Sequence, residues 1–420
     1  MELNKPNKIK TLFSNTALLY LLTFSTYLMS FIVVPYETRV LGPDMYGLLG
    51  VAAAIMVYFQ LTIDFGFLLS ATEEVSRNRE DKGILSSIFT SVTVNKLLLT
   101  AVSAAVLALV CSFVPSWREN MLFFFLHFVA TALNSLMPDY LYRGIEKMGA
   151  ITFRSIAIKF FFTVMIFVFV RTPDDYIIIP ILNIIGNAVA LLFVYLHLYS
   201  RVGVKFCPIK TADMLKRFKT SSTFFLSRIA TTVYSAANTI ILDLLSAGSM
   251  TAYYTAADKL VSTAKSGMSP ISDSLYPYMI KNKDFKLVKK ILLVLEPIIV
   301  LGCIVVFIWA EPLCTWFFGE EYAFTGTVLR TLLPVVAFIL PTYIFGFPVL
   351  GAMGLSKHAN YSVMLASAIH IINLLVLYAT DSLSVVTLGV TTSIAEGIIL
   401  LYRVIVVYKN RRILTSNEVG

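Results

Sequence analysis

The sequence is poor in charge and in any long polar stretch. Only 14% of its 420 residues are Asp, Glu, Lys or Arg and 57% are apolar, against roughly 25% charged and 45 to 50% apolar in soluble domains. A water-soluble domain has nothing to be built from, so the hydrophobic segments are themselves the domain. Cysteine is scarce too. Cys111, Cys207, Cys303 and Cys314 stand apart without CxxC or Cys/His spacing, so neither a metal site nor a disulfide framework is signalled. No GxSxG, Walker A, HExxH or GxGxxG motif appears in supporting context. These absences exclude the common soluble enzyme classes and give no reason to expect a cofactor, and ATP-driven work would need another subunit.

What is present is a series of apolar runs, each close to the twenty or so residues that cross a hydrocarbon core as a helix. Twelve are expected, at 12 to 34, 45 to 70, 84 to 110, 121 to 142, 151 to 170, 177 to 199, 220 to 244, 251 to 276, 288 to 310, 327 to 350, 360 to 379 and 384 to 407. Lys5 to Lys10 before the first run resembles the start of a signal peptide. The run to Val34 is too long for one and no small-residue cleavage site follows, so it is expected to remain as the first span. The net charge of +9 raises the question of a nucleic-acid partner, but the cations lie in alternate loops. Twenty-four Lys and Arg fall on the N-terminal side and three, Arg39, Arg118 and Arg171, on the other. Missing one helix would invert every later loop and destroy that asymmetry, so both termini are expected in the cytoplasm.

The longest inner connection divides the chain into a six-helix bundle at 1 to 199, a basic cytoplasmic linker at 200 to 219 and a second six-helix bundle at 220 to 420. A weak self-similarity at an offset of 207 residues pairs Ser14-Asn-Thr16 with Ser221-Ser-Thr223 and Tyr46 with Tyr253. An even number of spans per half predicts a pseudo-two-fold axis along the membrane normal. The fold class expected is therefore an all-α integral membrane protein.

Lys96, Lys159, Arg228, Lys259, Lys265 and Arg330 all fall inside expected spans. Six cations facing lipid would cost on the order of 15 to 20 kcal/mol even on the lenient insertion scale, so they are expected to face a shared polar interior. On the eighth span Asp258, Ser262, Lys265, Ser269 and Ser272 recur at three and four residues and share one helix face. Set against Asp258, Glu396 and the peripheral Asp64 and Asp273, the six cations leave that interior net positive. A positive, partly hydrated interior suits an anionic substrate, particularly a phosphate, and argues against cationic drugs. His370 and Glu396, near the middle of the last two spans, are candidates with Asp64 for ion coupling, though a helix-to-helix hydrogen bond accounts for each equally well. Arg403, two turns from the end of the last span, is expected to snorkel to the headgroups. Prolines within spans, among them Pro138, Pro334, Pro341 and Pro348, mark kinks.

Four stretches occur in a recognisable order: Val40-Leu-Gly-Pro-Asp-Met-Tyr-Gly47, Asp64-Phe-Gly-Phe67, Pro138-Asp-Tyr-Leu-Tyr-Arg-Gly-Ile-Glu-Lys-Met148, and Tyr254-Thr-Ala-Ala-Asp-Lys-Leu260 through Pro270 to Tyr276-Pro277. With twelve spans in two halves, the chain resembles the polysaccharide-transporter branch of the multidrug/oligosaccharidyl-lipid/polysaccharide exporter superfamily, most closely the O-antigen flippases. The resemblance implies transport rather than enzymatic catalysis. Its substrate would be an undecaprenyl-diphosphate-linked O-antigen or capsule repeat unit, turned from the inner to the outer leaflet of the bacterial cytoplasmic membrane by alternating access. It also implies a cationic lumen, placed here at Arg228, Lys259 and Lys265, and contact with membrane lipids and with other polysaccharide assembly proteins. Three other readings stay open. A small-molecule or multidrug antiporter of the same superfamily should favour acidic cavity residues. A major-facilitator transporter should carry a Gly-rich Asp-Arg pattern where Glu73 to Arg79 stands. A polysaccharide polymerase should have a large outer loop.

Overall fold

The computed structural model describes the backbone of residues 5–246 and 248–411, and the side chains of these except at 5–20, 22, 23, 26, 27, 148, 150, 223, 226–235, 246 and 277. Every regular element among the described residues is helical. The chain separates into two compact units, Met1–Leu41 with Ala52–Ile229 and Gly42–Val51 with Ala230–Gly420.

Helix α1 (Lys5–Asp64) runs for 60 residues. At 1.5 Å per residue that is roughly 90 Å, about three times the hydrocarbon core. It is not one rod, because Gly42 interrupts it with φ 69° and ψ 175°, a backbone open to glycine without a Cβ penalty. Pro43 then restarts the helix with a pre-set φ. The first segment therefore continues to Leu41 rather than stopping at the expected residue 34. The second segment ends earlier than expected, since Phe65 (φ 40°) and Gly66 (φ 78°) form a turn before α2 (Phe67–Arg77).

Gly66 answers two demands at once. Its φ is left-handed, and a Cβ there would sit 2.6 Å from the carbonyl oxygen of Ser221. Gly66→Ala is expected to destabilise the first unit by about 2 kcal/mol or more, from strain and overpacking together. The drop should appear as a lower melting temperature in detergent micelles. A variant melting with wild type would show that the turn relaxes freely.

Helix α3 (Lys82–Phe113) starts where Asp81 Oδ1 accepts from the backbone N–H groups of Gly83 and Ile84, a side-chain cap for otherwise unpaired donors. A short α4 (Pro115–Glu119) leads into α5 (Met121–Ser135). The expected span 121 to 142 is broken by Pro138: α5 stops at Ser135 and α6 (Asp139–Gly144) begins after the proline, which offers no N–H and disfavours helix in the residue before it. Helices α7 (Met148–Phe169) and α8 (Ile178–His197) are joined by a tight turn in which Asp175 Oδ2 accepts from the N–H groups of Arg171 and Thr172, 2.9 Å each. The core of this unit gathers Phe67, Ala71 and Val75 of α2, Leu85, Ile88, Phe89 and Val92 of α3, and Tyr140, Leu141 and Tyr142 of α6.

Helix α9 (Thr211–Ser246) is followed by α10 (Ser249–Asn282), α11 (Phe285–Ile308), α12 (Ala310–Phe318), α13 (Ala323–Ile344), α14 (Lys357–Ala379) and α15 (Val385–Lys409). Within the second unit α13 is the hub, packed on α10, α11, α12 and α15. Beyond Ile344 it widens into a π-type turn, Phe345–Gly351, around Pro348. Helix α11 is apolar on nearly every face and only Val288 of it is buried, with Leu293, Ile298, Leu301 and Ile308 all over 60% exposed. A helix of that kind is stable only with hydrocarbon around it.

Nine helices among the described residues are long and apolar enough to cross a membrane. The protein is thus an all-helical, multi-pass membrane protein. Helix α10 is not one of the nine, since Asp258, Lys259, Lys265 and Asp273 break its apolar run.

Candidate functional site

In the first unit, the middle of α3 carries Lys96, which is 4% exposed. Its Nζ donates to Asp64 Oδ1 at 2.8 Å and to the carbonyl oxygen of Ser135. Asp64 is the last residue of α1, so the turn at Gly66 places the carboxylate that holds this ammonium. The pair is tight and largely desolvated, and removing one partner would strand a buried charge.

Helices α1, α5, α7 and α8 surround a cavity of about 330 Å³, lined on its α7 side by Arg154, Ser155, Ile158, Lys159 and Phe162. Arg154 forks onto Asp139 through Nη1 to Oδ1 at 2.8 Å and Nη2 to Oδ2 at 3.2 Å, the bidentate geometry that suits guanidinium to carboxylate. The rest of the lining is rich in amides: Gln60, Asn134, Asn183 and Asn187, with His127 beside them. Of this group, only Lys159 had been singled out from the sequence as a site residue. The signal for the others was present as spacing, since His127, Thr131 and Asn134 on α5, and Asn183 and Asn187 on α8, recur at three and four residues and so share a face.

In the second unit the polar face of α10 is divided among its neighbours. Lys265 Nζ lies 3.5 Å from Glu396 Oε2 of α15, with the lysine side chain 27% exposed and the glutamate 5%. Ser272 Oγ donates to the carbonyl oxygen of Tyr343 on α13 at 3.2 Å, and Ser269 Oγ donates to Asp273 Oδ2 at 3.1 Å. Asp258, two turns before Lys265, is half-buried, whereas Lys259 is exposed. One turn further back, Tyr254 enters a buried network centred on Asn238. Asn238 Nδ2 donates to Tyr254 Oη and to Thr392 Oγ1, both at 2.8 Å, while its Oδ1 lies 2.9 Å from Nε2 of the fully buried His370. Thr392 and Glu396 are one turn apart on α15, so Lys265, Glu396 and the His370 network occupy one side of that helix.

Arg330 takes a different part. Its Nη1 lies 2.6 Å from Glu311 Oε1 and its Nε donates to the carbonyl oxygen of Phe307, which pins the start of α13 to α12 and the end of α11. Arg228 lies outside the residues whose side chains are described. Three of the six cations, Lys96, Lys265 and Arg330, are therefore paired with carboxylates. One of their partners, Asp64, is expected from the sequence to be peripheral, and the structure turns it onto Lys96.

Arg403 overturns its expectation outright. It is 7% exposed and turns inward, where Nε donates to Ser362 Oγ at 2.9 Å, Nη1 to the carbonyl oxygen of Thr342 and Nη2 to that of Ala359 at 3.1 Å. The physical reason is the break between α13 and α14, whose carbonyls and close-lying Gly346 leave room for a guanidinium and give its fork three acceptors.

Comparison with known proteins places the chain by sequence family and by fold. The sequence profile of a family described as "Polysaccharide biosynthesis protein" matches residues 12–283. Two relatives carry the name "Putative O-antigen transporter". One, from Shigella dysenteriae, is 26% identical over 367 residues, 85% of this chain and 91% of its own length. The other, from Escherichia coli (strain K12), is 23% identical over 389 residues, 90% and 93% of the two chains. Among solved structures, the lipid II flippase MurJ in an inward closed conformation aligns with a TM-score of 0.67 at 14% identity, over 93% of this chain and 87% of that one. An inward-facing multidrug resistance transporter of the MATE family, of the MOP superfamily, aligns with a TM-score of 0.71 at 11% identity, over 92% and 95%. The similarity to these structures is one of fold.

Proposed function

The chain belongs to the polysaccharide biosynthesis protein family, and from that premise we propose that it is a flippase for a lipid-linked oligosaccharide. Its substrate is an undecaprenyl-diphosphate-linked O-antigen or capsule repeat unit, moved from the inner to the outer leaflet of a bacterial cytoplasmic membrane by alternating access. Two six-helix bundles, 1 to 199 and 220 to 420, joined by the basic linker 200 to 219 and related by a pseudo-two-fold axis, carry out the movement with both termini in the cytoplasm. A diphosphate bearing sugars cannot enter hydrocarbon, where each unsatisfied polar group costs several kcal/mol, while its prenyl tail stays in lipid. The protein need enclose only the headgroup.

The observation that carries this reading is the contrast between two lysines. The side chain of Lys96 is 5% exposed and held at 2.8 Å, whereas that of Lys265 is 27% exposed and 3.5 Å from its carboxylate. A tight buried pair fixes helices; a longer, accessible one leaves the ammonium open to exchange Glu396 for an incoming phosphate oxygen. On this reading Lys265 is the lysine that meets the diphosphate, with Asp258 and Lys259 on the same helix. Glu396 of α15 and His370 of α14 are the groups best placed to take the coupling ion. Lys96, Asp64 and Arg330 are assigned to holding helices in place.

Deleting the gene is expected to abolish surface polysaccharide while lipid-linked repeat units accumulate on the cytoplasmic face of the membrane. Both are readable by extraction and protease-free surface labelling of the glycan. An unchanged surface glycan would sink the flippase reading. If sensitivity to cationic drugs rose instead, the antiporter reading would replace it.

A further inference from the structure

The cavity of the first unit holds more polar chemistry than an anion needs. Four neutral amides, Gln60, Asn134, Asn183 and Asn187, stand in its wall beside the two cations Arg154 and Lys159. Asn183 Nδ2 donates to the carbonyl oxygen of Ile179 at 3.3 Å and Asn187 Nδ2 to that of Ala130 at 3.0 Å. Each bond fixes an amide and leaves its side-chain carbonyl, an acceptor, without a protein donor among the described residues. Gln60 and Asn134 meet no protein partner among the described residues, so each offers both a donor and an acceptor. His127, 9% exposed, has Nδ1 3.2 Å from the carbonyl oxygen of Phe123. That carbonyl can only accept, so Nδ1 carries the proton and Nε2 of the neutral ring is a further acceptor.

Carbonyl acceptors suit neither phosphate nor a prenyl chain, and of the two cations in the wall Arg154 is already forked onto Asp139. A sugar hydroxyl both donates and accepts, and an acetamido group does the same, so amides interleaved with Met56, Ile158 and Phe162 match the polar rim and apolar face of a sugar ring. At about 330 Å³ the cavity is near the lower end of ligand pockets, so it takes part of a glycan and not the whole. We propose that this cavity is a glycan-reading subsite, in which the amides of Gln60, Asn134, Asn183 and Asn187 recognise hydroxyl or acetamido groups of the translocated headgroup, and Lys159 stands at its α7 wall for an acidic substituent. The subsite rests on the flippase reading and adds to it a determinant of sugar specificity, separate from the lysine that takes the diphosphate.

The test uses the full chain reconstituted in lipid vesicles with two probes on the same polyprenyl diphosphate, one bare and one bearing the complete repeat unit of the host's surface glycan. Gln60→Met and Asn134→Leu keep the side-chain volumes close and give up no protein hydrogen bond, so they separate recognition from folding. In the double variant the ratio of glycosylated to bare probe flipped is expected to fall about tenfold, as loss of two or more hydrogen bonds predicts. Asn187→Leu, which also gives up its bond to Ala130, should lower the ratio in the same direction. A ratio equal to wild type in the double variant overturns the subsite, whether both rates hold or both fall together. A wild-type chain that flips neither probe overturns the flippase reading on which the subsite rests.

Discussion

Arg403→Ala is expected to lower the stability of the second unit by roughly 2 to 4 kcal/mol, because three charge-assisted hydrogen bonds disappear from a buried position and their acceptors are left unpaired. The guanidinium ties α15 to Ser362 and Ala359 on α14 and to Thr342 on α13. Arg403→Lys keeps the charge but has no planar fork to reach acceptors in three directions, so an intermediate loss is expected. Thermal unfolding in detergent, followed by size-exclusion behaviour after heating, reads both. If Arg403→Ala melted with wild type, the guanidinium would be dispensable and the break after α13 would be held by packing alone. If Arg403→Lys matched wild type, the charge and not the fork would be what matters. Gly346→Ala gives an independent check on the same contact, since a Cβ there would lie 2.8 Å from Arg403 Nη1.

The inward turn of Arg403 also shows where sequence reading reaches its limit. Hydropathy made the helices legible, because burial in lipid imposes one requirement on every residue of a span. Nine helices among the described residues are long and apolar enough to cross a membrane for that reason, and the family's short motifs stood out in order along the chain. Helix ends were less legible. Pro138 lies near the end of an apolar run that hydropathy extends to residue 142, yet α5 stops at Ser135, a backbone effect that averaged hydropathy does not register. The same holds for Phe65 and Gly66, whose turn depends on α9 approaching within a distance only glycine admits. A charge near the end of a span is ambiguous in sequence, since lipid headgroups and a distant carbonyl both satisfy it. Thr342 is 61 residues from Arg403, and nothing local to either residue announces the contact. The amide-lined cavity was legible in principle, through the recurrence of Asn183 and Asn187 one turn apart, but charge drew attention away from neutral polar residues.

Lys265 and Glu396 provide the test that separates a structural pair from a working one. Lys265→Met alone leaves a 5% exposed carboxylate in an apolar bundle, and breaking a buried pair from one side typically costs about 3 to 5 kcal/mol. Low abundance of that single variant would therefore say little about transport. Combining it with Glu396→Gln removes both charges at once, and a neutral pair of similar volume is often as stable as the ion pair it replaces. The expected result is that Lys265→Met/Glu396→Gln returns to wild-type abundance and melting temperature, whereas repeat-unit flipping in vesicles stays at or below about a tenth of wild type, the tenfold corresponding to 1.4 kcal/mol of lost phosphate binding. The accessible ammonium is the reason, since the double variant restores everything the pair does for the fold and nothing it does for an anion. Restored flipping alongside restored abundance would reduce the pair to a helix clamp like that of Lys96 and Asp64, and the cationic site would have to be sought among Arg228, Lys259 and Lys159. Glu396→Gln alone sharpens the distinction, since it removes the carboxylate beside Lys265 without stranding an acid. If Glu396 takes the coupling ion, that variant should bind the lipid-linked diphosphate at least as well as wild type while its net flipping no longer responds to an imposed ion gradient.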